Sequence, residues 1–549
     1  MNEIKVRRWL GVILALIFGL YVYIALNAAL VNDDYMALYS TWLMSIGKVA
    51  GVDFNVDSYT LLFDWLTPVH YLVGSHFEIA FVFRAIFLSL LMFMGWQVSV
   101  ILRQFFTINV VLVTLILLFS SSAIIIRGID LRPDLAILIL WLQTLIVLYI
   151  YSGGGVRKLF WAGVLLGFAL LFKFKAILIC VVIGVYGFNR LVHKRWVLGL
   201  FLDIAAFLFG LATCFTFFVA TTGFSSLEIF LSTTRDLLLY STAHAGEESS
   251  LKLQVLKHYF LQDVIYWLLA LVGVGIAIRS WQSLSSNQRN LTFMLVTLAI
   301  ISIAANPHYH AYNLVTLYPL LALFVGFSIQ YIVSTTTEWS KGKVALCVMF
   351  ITILVIRNIQ YPVKNNNQHQ LALQTFIDRQ VPVDEPIFAF EGIGMFRPST
   401  FHWRTSAIKI SDYYNGGYSV WQEILKVKPI LIIESYRVPD WLLEHERDAL
   451  NQHYVSVAPS ILSLGLKTQT EIQGELLKSG WYTLKRDENQ QCRIDGSAFS
   501  SGDKLWLEAG KHSLLSDGGV CVLHWYFSPR EITLLKQSNP EKRPYLFSP

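Results

Sequence analysis

Two adjacent acids, Asp33 and Asp34, follow the first long apolar run of the chain, in the stretch VNDDYMALYSTW. A carboxylate can accept the proton of a hydroxyl as that oxygen attacks, and a neighbouring acid can position the group that gives it up. Ionisable residues beside lipid are costly and tend to be paired or functional. The plain alternative for the pair is a solvated acidic loop. The rest of the chain offers groups of the opposite sign. Lys173 and Lys175 interrupt an apolar segment in ALLFKFKAILI, and Arg127 and Arg132 flank the RGIDLRPD turn. Fixed positive charge of this kind suits phosphate oxygens.

Other candidates carry two readings each. Asp134 follows Pro133 at the start of RPDLAILIL. Proline fits the first helical turn and an acid there complements the helix dipole, so a structural role competes with a catalytic one. Asp130 is a weaker alternative four residues earlier. Arg127 and Arg132 are either interfacial anchors or phosphate contacts. Lys173 and Lys175 are either turn lysines reaching headgroups or, for at least one, a phosphate ligand. His308 and His310 form an H-x-H in NPHYHAYN. Two histidines without a third nearby ligand are weak grounds for a metal, and none is expected. Contact with phosphate or sugar is the favoured reading, with Tyr309, Tyr312 and Asn313 as neighbours. Arg84 either pairs with Glu78 or serves the site. In the 222–258 loop, Arg235, Asp236, His244, Glu247 and Glu248 read as a solvated face.

These residues must be held by membrane-spanning helices. The 549 residues are 55% hydrophobic and 15% charged, against roughly a quarter charged in soluble domains. A helix needs about 20 mostly apolar residues to cross a bilayer. About eleven such runs occur, near residues 9–31, 78–101, 108–126, 134–151, 158–172, 176–192, 196–221, 261–279, 291–305, 312–332 and 344–360. Lys5, Arg7 and Arg8 set the N-terminus in the cytoplasm by the positive-inside rule. The first run exceeds a signal-peptide core and reads as a retained helix. Alternate turns then carry Arg103, Arg157, Lys158, Arg279, Arg289, Lys341 and Lys343, while the opposite side receives the acidic pair, two long loops (32–77 and 222–258) and the region after the last span. The 32–77 loop should hold short interfacial helices, around FDWLTPVHYLVG.

From about residue 361 the composition becomes that of a soluble region. Strand-like PIFAFEG and PILIIES alternate with helical QLALQTFIDRQ and WLLEHERDALNQHY over 361–475, an α/β signal. Short alternating segments over 476–549 (WYTLKR, CRIDG, KLWLEAG, VCVLHWYF) read as a β-sandwich. Cys492 and Cys521 each lie in one of these strands, on the oxidising side, and are expected to form a disulfide; two buried thiols are the alternative. Cys180, Cys214 and Cys347 sit in apolar runs as small hydrophobes.

Partners are narrowed by what is missing. There is no Lys/Arg block with interleaved aromatics, so nucleic acid is not expected. No G-x-x-x-x-G-K-[ST] string occurs, and Gly153-Gly154-Gly155 lacks a flanking strand, so no nucleotide site or cofactor is expected.

Several strings, in order, resemble those of GT-C-fold glycosyltransferases, the group containing protein O-mannosyltransferases and the lipid A aminoarabinose transferase. They are VNDDYMALYSTWLMSIGK, TPVHYLVGSHFEIAFVFRAIFL, RPDLAILIL, GVLLGFALLFKFKAILI and NPHYHAYNLVTLYPLLALF, over roughly residues 9–360. The resemblance implies a polytopic α-helical GT-C-like membrane protein, catalytic over 1–360, with the C-terminal α/β and β-sandwich regions outside. It implies transfer of a sugar from a polyprenyl-phosphate carrier to a hydroxyl of a lipid, glycan or protein acceptor, on the periplasmic face of the inner membrane and with inversion. Asp33 maps onto the family's usual base, Asp34 onto its supporting acid, and Asp134 onto an acid kept in the active-site cleft. Relatives often carry Asp-Glu followed by Arg-Tyr where this chain has DDY, so the donor contacts of that loop differ. The rival reading is a polytopic transporter or flippase for a lipid-linked or small polar substrate. Transporters bind near the midplane between related halves, whereas these acids lie at span ends on one side.

Overall fold

The computed structural model describes residues 3–54, 61–193, 197–243, 249–304, 310–335, 341–399, 412–435, 441–486 and 491–539. The chain divides into two compact units. The helical unit is Met1–Ala28, Ser58–Leu66 and Ala80–Asn365; the other, labelled the outer unit only for the side on which the sequence places it by expectation, is Ala29–Asp57, Thr67–Ile79 and Asn366–Pro549.

The helices run in chain order as α1 (Glu3–Asn27), α2 (Asn32–Ser45), α3 (Leu61–Val73), α4 (Ile79–Leu102), α5 (Ile108–Phe119), α6 (Ser122–Arg127), α7 (Pro133–Leu145), α8 (Gly155–Phe172), α9 (Cys180–His193) and α10 (Val197–Thr222). They continue as α11 (Phe224–Ala243), α12 (Ser249–Gln262), α13 (Val264–Arg279), α14 (Ser286–Ala304), α15 (Leu314–Thr335) and α16 (Lys341–Lys364). Among the described residues, each of the eleven expected apolar runs falls largely on helix. Among the described residues, six helical stretches are long and apolar enough to cross a membrane, or seven if α12 and α13, bent by 98° at Asp263, make one span. Part of the difference lies in breaks that hydropathy does not register. Ser120 and Ser121 separate α5 from α6, leaving α5 with 12 residues, about 18 Å of helix against a core of about 30 Å. The Lys173 turn likewise detaches α8 from α9.

The chain is an integral membrane protein, and its packing fits that solvent. On α10, Phe201, Leu208, Phe209 and Phe217 are exposed, apolar surface that water would not favour. Where α10 meets α8 the backbones nearly touch. A Cβ on Gly163 would lie 2.2 Å from the Phe207 carbonyl oxygen, and one on Gly210 would lie 2.1 Å from that of Phe160. Small residues at such crossings gain packing that lipid cannot supply. Arg84, buried in α4, donates to the Ala28 carbonyl at 2.6 Å and caps the end of α1.

In the outer unit, the 32–77 segment supplies α2, as expected of short helices in that loop. The C-terminal part adds α17 (Gln368–Gln380), α18 (Val420–Val427), α19 (Glu444–His453) and α20 (Pro529–Gln537). Its strands are β1 (Ile387–Phe388), β2 (Leu431–Ile433), β3 (Tyr454–Ala458), β4 (Ile461–Thr468), β5 (Glu471–Leu476), β6 (Gly480–Arg486), β7 (Cys492–Ile494), β8 (Ser497–Phe499), β9 (Lys504–Leu507), β10 (Gly510–Ser516) and β11 (Cys521–Trp525). One sheet has the order β1-β2-β4-β11-β6-β9, with β3 also on β4, and the other is β5-β10-β7-β8. β1 and β2 are parallel, and β4 pairs antiparallel with both β2 and β11. One sheet therefore continues from the α/β part into the β-sandwich. Cys492 on β7 and Cys521 on β11 form the expected disulfide, with Cα atoms 6.1 Å apart, and it staples one sheet to the other.

Candidate functional site

In the helical unit, two turns bring charge together. Pro133 at the first position of α7 starts the helix directly after Arg132, which is extended. Asp134 thus occupies the first turn, buried at 2% exposure. The chain leaves α8 at Lys173, also extended, and winds into a 3-10 turn over Phe174–Ile179 that carries Lys175. Trp141 of α7 holds this turn, its indole N–H donating to the Ala176 carbonyl at 3.2 Å. The two turns meet at Asp134. One carboxylate oxygen accepts from Lys175, and the other accepts from the Arg132 Nε at 3.1 Å. Lys175 also donates to the Asn313 side chain at 3.2 Å. The Arg132 guanidinium lies 3.3 Å from the centroid of the Tyr312 ring, and the Lys173 ammonium 5.9 Å from the same centroid.

Three cations gather around one carboxylate. An aromatic face under the guanidinium adds cation–π attraction and leaves the guanidinium's edge for an acceptor. Such a cradle suits a phosphate group. His310 stands beside it, its ring 5.3 Å from that of Tyr312. Arg127 instead pairs with Asp130 at 3.3 Å. His308, with Tyr309, His244, Glu247 and Glu248, lies outside the described residues. Arg235 and Asp236 pair with each other on an exposed helix surface, as a solvated face requires.

The acidic pair belongs to the outer unit and is built differently. Val31 precedes α2, and the Asp34 Oδ2 accepts from the Val31 N–H at 3.2 Å. Asp34 is fully buried, and its carboxylate satisfies the backbone N–H at the N-cap of α2. Asp33, at the preceding position, is half-buried. Further along α2, Tyr39 donates to the Arg397 carbonyl at 3.1 Å, and Trp42 meets the Phe396 ring edge-on at 6.1 Å. Gly392 has φ +70, and a Cβ there would lie 2.6 Å from Tyr39. Glycine is thus required both by the turn and by the approach of α2.

Asn313, named with Tyr312 beside the histidine pair, does meet the site through Lys175. One residue that organises the helical unit escaped the sequence reading. Asp263, at the bend between α12 and α13, accepts from the Ser122 backbone N–H at 3.0 Å, the Tyr318 hydroxyl at 2.8 Å and the Asn358 amide at 3.3 Å. It is 2% exposed and ties four helices together. A lone acid inside the apolar string FLQDVIYWLLAL was the available signal.

The helical unit with its α/β and sandwich extension defines a class: this is the GT-C fold. Among solved structures the chain is similar to ArnT from Cupriavidus metallidurans bound to undecaprenyl phosphate, with TM-score 0.52, 12% identity, and coverage of 83% of this chain and 98% of that one. The apo Archaeoglobus fulgidus oligosaccharyltransferase has TM-score 0.47 at 9% identity, over 90% of this chain and 74% of that one. The arabinosyltransferase EmbB from Mycobacterium smegmatis has TM-score 0.44 at 10% identity, over 93% and 64%. The ArnT likeness carries the fold. No family model matches the chain, and no curated protein matches it.

Proposed function

We propose that the chain is a glycosyltransferase that moves a sugar from a polyprenyl-phosphate carrier to an acceptor hydroxyl. The reaction takes place on the periplasmic face of the inner membrane and inverts the anomeric centre. The observation that carries this reading is the convergence of Arg132, Lys173 and Lys175 around Asp134, on a membrane helix end. A fold shared with ArnT, solved with undecaprenyl phosphate bound, supports the same reading.

The acceptor oxygen attacks the anomeric carbon, its proton passes to the Asp33 carboxylate, and the sugar–phosphate C–O bond breaks. The carrier phosphate leaves with the electron pair, and the cradle's cations offset the charge that grows on its oxygens. Asp134 serves by holding Lys175 and Arg132 in position. Tyr312 and His310 border the phosphate and the sugar. Asp34 fixes the first turn of α2, so that Asp33 is presented by a rigid helix start. The acceptor is a hydroxyl-bearing lipid, glycan or protein. No metal or other cofactor enters the scheme.

Undecaprenyl phosphate binding to the purified full chain tests the cradle. Lys175→Met and Lys173→Met keep an apolar stem and remove the charge, so the double variant should bind at least about tenfold more weakly, a loss of about 1.4 kcal/mol. Unchanged affinity in both single variants and the double variant would sink the assignment.

A further inference from the structure

Leu30 lies three residues before Asp33, between α1 and α2, where its backbone has neither helix nor sheet to satisfy it. The side chain of Gln370 does so. Its Oε1 accepts from the Leu30 N–H at 2.7 Å, and its Nε2 donates to the Leu30 carbonyl at 2.9 Å. Both residues are buried, at 1% and 2% exposure. Buried backbone groups must find partners, and here one amide answers both groups of one residue, as a neighbouring strand would. Downstream, Asp34 fixes Val31. Asp33 is thus bracketed by two anchors, and only the second is local to its own helix.

The first anchor is itself held firmly. Gln370 lies on α17, which packs on α20. The Phe376 ring lies 5.2 Å from that of Phe527, His369 Nδ1 and the Ser538 hydroxyl are 2.9 Å apart, and the Ser528 N–H donates to Gln380 at 2.8 Å. Burial pushes the His369 imidazole down to about 4, so this contact keeps a neutral ring at physiological pH. The backbone before Asp33 therefore takes its position from the C-terminal part of the chain, some 340 residues away.

We infer that Gln370 is a positioning residue for the Asp33 base, an inference that rests on the role proposed for Asp33 above. A base must lie within about 2.6–3.2 Å of the proton that it takes, and a displacement of about 1 Å can cost on the order of 10²-fold in rate. Releasing Leu30 frees the strand that enters α2 while leaving the phosphate cradle's own residues untouched.

The test is a double-mutant cycle in the full chain. Gln370→Met conserves bulk and removes both hydrogen bonds. Gln370→Glu keeps the acceptor for Leu30 N–H, loses the donor, and carries the same cycle if the methionine variant fails to accumulate. Activity is read as the labelling rate of the envelope glycoconjugate whose mass disappears when the chain is absent. Undecaprenyl phosphate affinity of the purified protein is the control. Gln370→Met should slow labelling about tenfold or more, leave that affinity within about twofold, and add nothing once Asp33→Asn is present. Labelling at the unmodified rate, or a loss that multiplies with that of Asp33→Asn, would overturn the inference. Normal labelling by Asp33→Asn would overturn the base itself; a slow Asp33→Asn beside a normal Gln370→Met would overturn only the role of Gln370.

Discussion

Asp134 and Asp34 are both buried acids in the first turn of a helix, yet the two units hold them by different means. Asp134 answers to two cations, Lys175 and Arg132. Asp34 caps a backbone amide, that of Val31. Two other buried acids of the outer unit also take neutral donors, whereas its less buried Glu385 pairs with Lys478. Glu446 accepts from the Tyr413 hydroxyl, the Ser419 hydroxyl and the Trp421 N–H, and Glu391 accepts from the Ser435 hydroxyl at 2.8 Å. In the helical unit, Asp203 is held by Arg190 at 2.9 Å, although Asp263 departs from the pattern by taking mostly neutral donors. The contrast has a chemical consequence. An ion-pair network of several cations can accept a further anion by sharing charge. An acid that holds the backbone at a helix start instead fixes the turn that carries Asp33.

The comparison can be broken most severely at Asp134. Removing one partner of a buried pair leaves an uncompensated charge, at about 3–5 kcal/mol. Asp134→Ala should therefore lower the thermal stability of the detergent-purified protein markedly, while Asp33→Asn stays within about 1 kcal/mol of the unmodified chain. Equal shifts for the two would erase the distinction. Next in size is the disulfide between the two sheets. Its sequence separation of 29 corresponds to about 3 kcal/mol in the chain-entropy model. Cys492→Ser and Cys521→Ser should each destabilise the outer unit by that order. Adding a reductant to the double variant should change nothing further in calorimetry.

A smaller effect separates the units by pH. Burial pushes the Glu434 carboxyl up to about 7. An acid raised on folding binds more protons folded than unfolded, so its contribution grows more favourable as pH falls from about 7 towards the unfolded value near about 4.3. The outer unit should gain on the order of 1–3 kcal/mol between pH 8 and pH 5 from this group. Glu434→Gln should flatten the melting profile over that range. A profile that rises with pH in the unmodified chain would contradict the sign.

Much of this was legible in the residues. The apolar runs announced a helical membrane unit, though only six or seven of the eleven expected spans are long enough as single helices among the described residues, and the alternating patterns of CRIDG and VCVLHWYF announced the strands that the disulfide joins. Lys173 and Lys175 stood out because charge inside an apolar run needs a reason, and they do converge with Asp134. Hydropathy averages could not register the breaks at Ser120–Ser121 and at Lys173, because a bend costs little apolar character. Nor could they assign Asp33 and Asp34 to the outer unit's core. That association depends on Gly392, Phe396 and Gln370, more than 350 residues later in the case of Gly392 and Phe396, and no local pattern encodes it. The sheet continuing through β2, β4 and β11 was equally hidden, since pairing partners are set by tertiary contact.

The central claim is that this chain transfers a sugar from a lipid phosphate with Asp33 as base. Mass spectrometry of envelope glycolipids and glycans tests it most directly, comparing cells that carry the chain, cells that lack it and cells that carry Asp33→Asn at matched abundance. Loss of a general base costs about 10²–10⁴-fold in rate. The prediction is a sugar-bearing species present only with the unmodified chain and reduced to near the deletion level by Asp33→Asn, while the purified variant still binds undecaprenyl phosphate. An unchanged envelope profile on deletion, or full product with Asp33→Asn, would contradict it.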